Sequence, residues 1–467
     1  MSAPAAKKFD RSLVEGPISS AILKIAWPTI IQNLIAGLQG LVDHTLVGHY
    51  VGYHANAAIG VSWQIFLVIV VFISSIFSGM GVLVARFVGA GDSAAVGRVV
   101  FQGFLVALFI GVGIFAPLGW VLSPYLLQLV HAAPDVQVVA LPYLRLMFVF
   151  SIGMMLFYLI GGALRAAGDA KTPMRLGIFL TIANILLSIA FITGFGPLPA
   201  MGATGAALGT VLAGALTSII AIWLLFSGRL VIDLRPAASR KIDWEVVRAI
   251  FRFGLPTGFQ GIAMNLGGVF MLRYVGSLEH SAEAQAAYAV SYNQLFSFIS
   301  WTSVALMAAA ATVAGQSLGA GLKERAITVP REAVKLGLFI ATPLAILFLL
   351  APRLLLGIFG MKDALVLELG EQFLAYLSVS AFFLMAALSY TGALQGTGDT
   401  RSPMYISIFS QLILPLGICA ALDFTHGLRP ADIWLAIVIG HFTRCALSVM
   451  RFHQGKWRSI EVSISKA

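Results

Sequence analysis

From residue 19 to residue 452, stretches of twenty or more mainly apolar residues follow one another, separated only by short polar gaps. A run of about 20 apolar residues is what a helix needs to cross a bilayer core. In that medium every backbone N–H and C=O must be satisfied within the segment, which leaves helices as the spanning element for runs of this length. The expected spans lie near 19–50, 56–86, 95–128, 136–166, 173–196, 202–228, 247–276, 284–317, 324–358, 367–395, 403–424 and 430–452. Composition agrees: 59% of the 467 residues are hydrophobic and 11% charged, against about 25% charged in soluble domains. The net charge of +10 is spread over short loops, so nucleic acid is not an expected partner.

The basic residues set the expected orientation. Arg86, Arg98, Arg165, Lys171, Arg175, Arg229, Arg235, Arg240, Lys241, Arg248, Lys323, Arg325, Arg331, Arg401, Arg451, Lys456 and Arg458 fall on one set of connections. Only Arg353, Lys362 and Arg429 fall on the other. The reading is a multi-pass protein of the cell (inner) membrane, embedded in the lipid bilayer, with both termini cytoplasmic. The expected divisions are a tail at 1–18, a first lobe at 19–228, a cytoplasmic linker at 229–246, a second lobe at 247–452 and a tail at 453–467. Residues 1–18 carry no cleavage signal.

An internal repeat divides the chain. GALRAAGDAKTPM (162–174) returns as GALQGTGDTRSPM (392–404), 230 residues on; RFVGAGD (86–92) returns as QSLGAGL (316–322) at the same offset; AWPTIIQ (26–32) returns as GLPTGFQ (254–260), 228 residues on. Six spans per half is an even number, so both halves cross in the same sense. Parallel repeats of this kind are a secondary-transporter architecture, with substrate and ion sites near mid-membrane. In each G-D-x-[KR]-[ST]-P segment, Gly168 and Gly398 suit a helix end with positive φ. Asp169 and Asp399 suit a cap, and Pro173 and Pro403 a first helical turn. Pro28 and Pro256, inside the first helix of each half, predict a kink.

One acid stands deep in a span. Asp43 lies in the outer half of the first, and a carboxylate at a helix centre costs roughly 2.5–3.5 kcal/mol to insert, so it is a functional candidate. Gln39, Ala36 and Gln32 lie on the same helical face. Two readings of the glutamines stand side by side: a pocket lining, or hydrogen bonds across a helix–helix contact. At the 228-residue offset Asp43 aligns with Met271, so the acid belongs to one half only. Polar residues within other spans are Tyr143, Asn184, Ser188 and Thr210 in the first half. In the second they are Gln260, Asn265, Tyr292, Asn293, Gln294, Tyr390 and Gln411. Gln32, Gln39, Gln260, Tyr292 and Asn293 form the expected substrate lining.

Cys419 and Cys445 sit in apolar runs, and His44, His49 and His54 are five apart, so no metal site and no cofactor is expected. No nucleophile–base cluster or phosphate loop is present, which argues against an enzyme. Arg145 and Arg273 are the only basic residues read as candidates for a cavity.

WPTIIQ, VDHTLVGH, VARFVGAGD, GALRAAGDAKTP, GATGAALGT and the closing GKW together resemble the multidrug and toxic compound extrusion (MATE) family over nearly the whole chain, most closely its DinF-like branch. The resemblance implies an all-α integral membrane protein of twelve transmembrane helices, in two pseudo-symmetric six-helix lobes with a central cleft. It implies a monomer that exports cationic or amphipathic organic compounds by alternating access, in antiport against H⁺ or Na⁺. Asp43 falls on the family's proton-linked acid. Tyr143, Asn184 and Thr210 fall on polar positions near it. Ser188 replaces an aspartate found in some members. Met264, Leu384 and Met385 stand where the Na⁺-coupled branch has acids, which favours H⁺. The alternatives implied are a Na⁺-coupled drug antiporter or a lipid-linked oligosaccharide flippase of the same superfamily.

Overall fold

The computed structural model describes residues 9–51, 53–130, 132–195, 199–232, 234, 241–462 and 464; at residues 41–44, 48, 53–57, 68, 69, 72 and 426 it describes the backbone alone. The described chain is helical with no strand. Twelve long elements follow in order: α1 (Ile18–Tyr50), α2 (Tyr53–Ala90), α3 (Ser93–Leu129), α4 (Pro134–Val149 and Ile152–Ala166), α5 (Lys171–Thr193), α6 (Gly202–Phe226), α7 (Trp244–Gly276), α8 (Ser281–Gly319), α9 (Lys323–Leu350), α10 (Ala364–Gly396), α11 (Arg401–Thr425) and α12 (Pro430–His453). Ten of these contain a stretch long and apolar enough to span, and α4 adds an eleventh as a pair bent by 47°. The twelfth, α7, is 33 residues long, and its charge-free stretch 253–272 is diluted by Gln260, Asn265 and its glycines. The protein is a multi-pass membrane protein of twelve helices in two six-helix lobes.

Packing divides the chain into two compact units: residues 31–255, and residues 256–463 together with 11–30. The divisions fall within α1, two residues after Pro28, and within α7, at Pro256. In the first unit the core is a cluster from α2, α3, α4, α5 and α6 that includes Phe66, Leu127, Tyr143, Phe148, Ile192 and Val211. Gly153 of α4 lies so close to the backbone of α6 that a Cβ there would stand 2.7 Å from Ala215 N. The Ser218 hydroxyl crosses the same contact to donate to the Gly153 carbonyl. Small residues at such crossings let helix backbones approach within lipid.

The repeated turns are built alike. Gly168 and Gly398 have φ of 96° and 101°. Asp169 Oδ1 accepts from Thr172 N at 3.0 Å and its Oδ2 from Thr172 Oγ1 at 2.6 Å. Asp399 does the same with Ser402, at 3.1 and 2.9 Å. The motif therefore ends one helix and caps the next, once in each unit. The end of the linker is anchored: Gln102 Nε2 of α3 donates to Lys241 O at 2.9 Å, and Gln102 Oε1 accepts from Asp243 N at 3.1 Å. Asp243 pairs with Arg98 and accepts from the first amides of α7.

Candidate functional site

In the first unit, α1 turns its predicted polar face toward α4 and α5. Arg165 Nη1 donates to Gln32 Oε1 at 3.3 Å, and Thr181 Oγ1 donates to Gln39 Oε1 at 2.9 Å. Both glutamines are half-buried, while Ala36 between them is exposed. Farther along α5, Asn184 Nδ2 donates to Thr210 Oγ1 of α6 at 2.9 Å, and Thr210 Oγ1 donates to the Ala206 carbonyl at 3.0 Å. Asn184 is wholly buried, and its Oδ1 has no partner among the described residues; nor has the Ser188 hydroxyl one turn on. Tyr143 of α4 is 4% exposed and sits in the core cluster with residues of α6. The Asp43 and His44 side chains lie outside the described residues. Of the four expected coupling residues, Asn184 and Thr210 are bonded to each other, and Tyr143 packs in the core that α6 shares.

In the second unit, Gln260 of α7 is buried and bonded twice. Its Nε2 donates to Ser407 Oγ at 3.0 Å, and its Oε1 accepts from Gln395 Nε2 at 3.0 Å. Tyr292 is half-buried and stacked between Tyr288 and Phe296, with ring centroids 5.3 and 5.5 Å away. Asn293 is exposed. The five residues expected to line a substrate pocket thus fall apart: Gln32 and Gln39 on separate bonds in the first unit, and in the second Gln260 in a buried network, Tyr292 in an aromatic stack and Asn293 exposed. Met271, the counterpart of Asp43, is buried with its sulfur 4.0 Å from that of Cys419. Met264 is 37% exposed, and Leu384 and Met385 are buried; among the described residues no group of three or more His, Cys, Asp and Glu could hold a metal ion.

The basic residues expected as cavity candidates are Arg145 and Arg273, and a further basic residue lies inside a span. Arg145 is half-buried, its guanidinium 4.6 Å from the centre of the Trp120 ring and bonded to the Trp120 carbonyl, lining a 370 Å³ apolar hollow. Arg273 is exposed at the end of α7. The buried one is Arg444, 1% exposed on α12, with His441 one turn before it. The signal was in the sequence, as His-x-x-Arg inside the last apolar run, but the surrounding hydrophobicity hid it.

Residues 28–190 and 256–420 match the MatE family model. The chain belongs to the MatE family. The two matched segments fall on either side of the linker, in keeping with the repeat. Among its relatives, a probable multidrug resistance protein NorM of Thermotoga maritima is 29% identical over 447 residues, covering 94% of this chain and 93% of that one. Solved structures share the fold. A structure described as the outward-facing conformation of a multidrug resistance MATE family transporter superimposes with a TM-score of 0.88 at 21% identity, covering 98% of this chain and all of that one. A second, described as MATE in the bent conformation, gives 0.85 at 22% identity, covering 96% of each chain. In this MatE chain the two helices with the internal prolines Pro28 and Pro256 are those that pass from one compact unit to the other.

Proposed function

We propose that this protein is a secondary active multidrug exporter of the cell membrane, with both termini cytoplasmic, that exchanges cationic or amphipathic organic compounds for H⁺ by alternating access. Asp43 is the coupling acid. The observation that carries the reading is the Asn184 carbonyl oxygen: wholly buried, held by the bond to Thr210, and without a donor among the described residues. A buried acceptor left unmade costs about 1–3 kcal/mol. A carboxyl group that gains a proton becomes a donor and can satisfy such an acceptor; the same group without its proton cannot. Names of relatives support the drug-export part of the reading. Apolar side chains at Met264, Leu384 and Met385, where the Na⁺-coupled branch has acids, support H⁺ over Na⁺.

In the cycle, the deprotonated acid attracts a cationic compound, and protonation from outside cancels that attraction and releases it. The return to the inward-open state carries the proton in. Each proton moving down 100 mV supplies about 2.3 kcal/mol, near fiftyfold in concentration ratio. The test is export of a fluorescent cation by reconstituted vesicles under an imposed pH gradient. Wild type transports, and Asp43→Asn inserts and folds but loses the pH-driven component. Full pH-driven export by Asp43→Asn removes Asp43 from the mechanism, and export driven only by a Na⁺ gradient removes the proton.

A further inference from the structure

A second set of orphaned groups lies in the unit of residues 256–463, and its chemistry is opposite to that of Asn184. Arg444 is 1% exposed, yet its Nε and Nη1 have no partner among the described residues. A guanidinium keeps its charge in proteins. The ionisable groups that interact with it are the Tyr292 hydroxyl and His441, and neither is an acid that could neutralise it. His441 Nδ1, Ser448 Oγ, Ser291 Oγ and Ser380 Oγ are likewise buried and unpartnered among the described residues.

These groups lie on three neighbouring helices, α8, α10 and α12. His441, Arg444 and Ser448 are spaced three and four residues apart, on one face of α12. Phe296 of α8 stacks on His441 with centroids 5.9 Å apart, and Tyr292, one turn earlier and next to Ser291, stacks on Phe296. On α10, Phe373 stacks on Trp434 at 3.8 Å, and Tyr390 meets Phe452 at 5.5 Å. Contacts that advance together along both helices mean that α10 and α12 run parallel. Seven residues on from that first pair, Ser380 and His441 therefore stand at one level. Ser291 and Tyr292 also belong to a π-helical segment, Ala289–Leu295, in α8; such segments are frequent at functional sites.

We propose that α8, α10 and α12 enclose a binding site for a small monovalent inorganic anion of halide size, neutralising Arg444 and accepting from the hydroxyl groups around it. Arginine donates through N–H only, and the three serines can each donate, so the lining offers donors to a ligand that brings negative charge. A buried charge with no counter-charge is among the costliest arrangements in a protein interior, and the near-complete burial of the lining suits an ion and not a drug-sized molecule. The site is independent of the transport reading, because it is tested on purified protein without a gradient.

The experiment compares thermal unfolding of the full chain in detergent with potassium bromide and with potassium gluconate, at equal ionic strength. Wild type gains about 2–4 °C in bromide, by preferential binding to the folded state, and Arg444→Gln loses that gain. Crystals of wild type grown in bromide show an anomalous peak beside Arg444, a result that needs no variant and decides the matter should Arg444→Gln fail to fold. Equal unfolding temperatures for wild type in the two salts, a bromide effect kept by Arg444→Gln, or crystals with only water beside Arg444 would each overturn the proposal.

Discussion

The two halves of the chain keep the same glutamine in their first helix and use it differently. Gln32 and Gln260 are related by the 228-residue offset, and each meets the residues that the 230-residue offset pairs: Arg165 and Gly177 in one half, Gln395 and Ser407 in the other. Gln32 accepts from Arg165 at 3.3 Å and stays half-buried; Gln260 makes two bonds of 3.0 Å and is 5% exposed. Two turns on, Gln39 bonds Thr181, whereas its counterpart Gly267 is packed so tightly that a Cβ would stand 2.5 Å from the Gln411 carbonyl oxygen. At the next equivalent position stand Asp43 and Met271. The second half has turned an accessible polar stripe into closed packing. The first half keeps its stripe, its acid and an unsatisfied acceptor. Duplication supplied the scaffold twice, and only one copy carries what the proposed proton chemistry needs.

That contrast can be broken in several ways. The largest expected effect is on coupling: Asn184→Leu removes the orphan acceptor and lowers pH-driven export by about tenfold, equivalent to about 1.4 kcal/mol, while Leu414→Met, at the equivalent position of the second half, leaves export unchanged. Vesicle transport measured on the two variants side by side checks this. Next comes a stability difference. Gln260→Ala strands Gln395 and Ser407 in a buried setting and costs about 1–3 kcal/mol, whereas Gln32→Ala, at a half-buried site, costs less. Thermal unfolding of the two purified variants decides, and equal losses would mean that the glutamines play the same part in both halves.

A smaller difference is expected at the repeated turns. Both aspartates cap, but Asp399 also accepts from Arg451 Nε at 2.8 Å and is 4% exposed, while Asp169 is half-buried. Losing a cap alone costs about 0.5–2 kcal/mol. Asp399→Ala should therefore lower the unfolding temperature more than Asp169→Ala, because it also removes the carboxylate partner of the Arg451 guanidinium.

Much of the fold was legible before any coordinates. Apolar runs and their gaps located the helices because backbone satisfaction in lipid leaves no other element open to them. The repeated G-D-x-[KR]-[ST]-P segment announced its own geometry, since a positive φ, a cap and a first-turn proline are local requirements. Other features were illegible for equally physical reasons. The 47° break in α4 falls at Phe150 and Ser151, with no proline at the break, and depends on how α4 packs. The π-helical segments carry no compositional mark. An amide on an apolar helix reads the same whether it is bonded twice, as Gln260 is, or exposed, as Asn293 is; only tertiary structure separates them. Arg444 was overlooked because its neighbours are as hydrophobic as those of any membrane helix, and a charge on the closing span was counted with none of the loops.

The most direct test of the central claim is the affinity of the purified protein for a permanently charged fluorescent cation, measured across pH 5–8 for wild type and Asp43→Asn. Wild type should bind more weakly as pH falls, and Asp43→Asn should bind equally at every pH. A variant whose affinity still falls with pH as in wild type would show that the proton and the substrate compete through some other group.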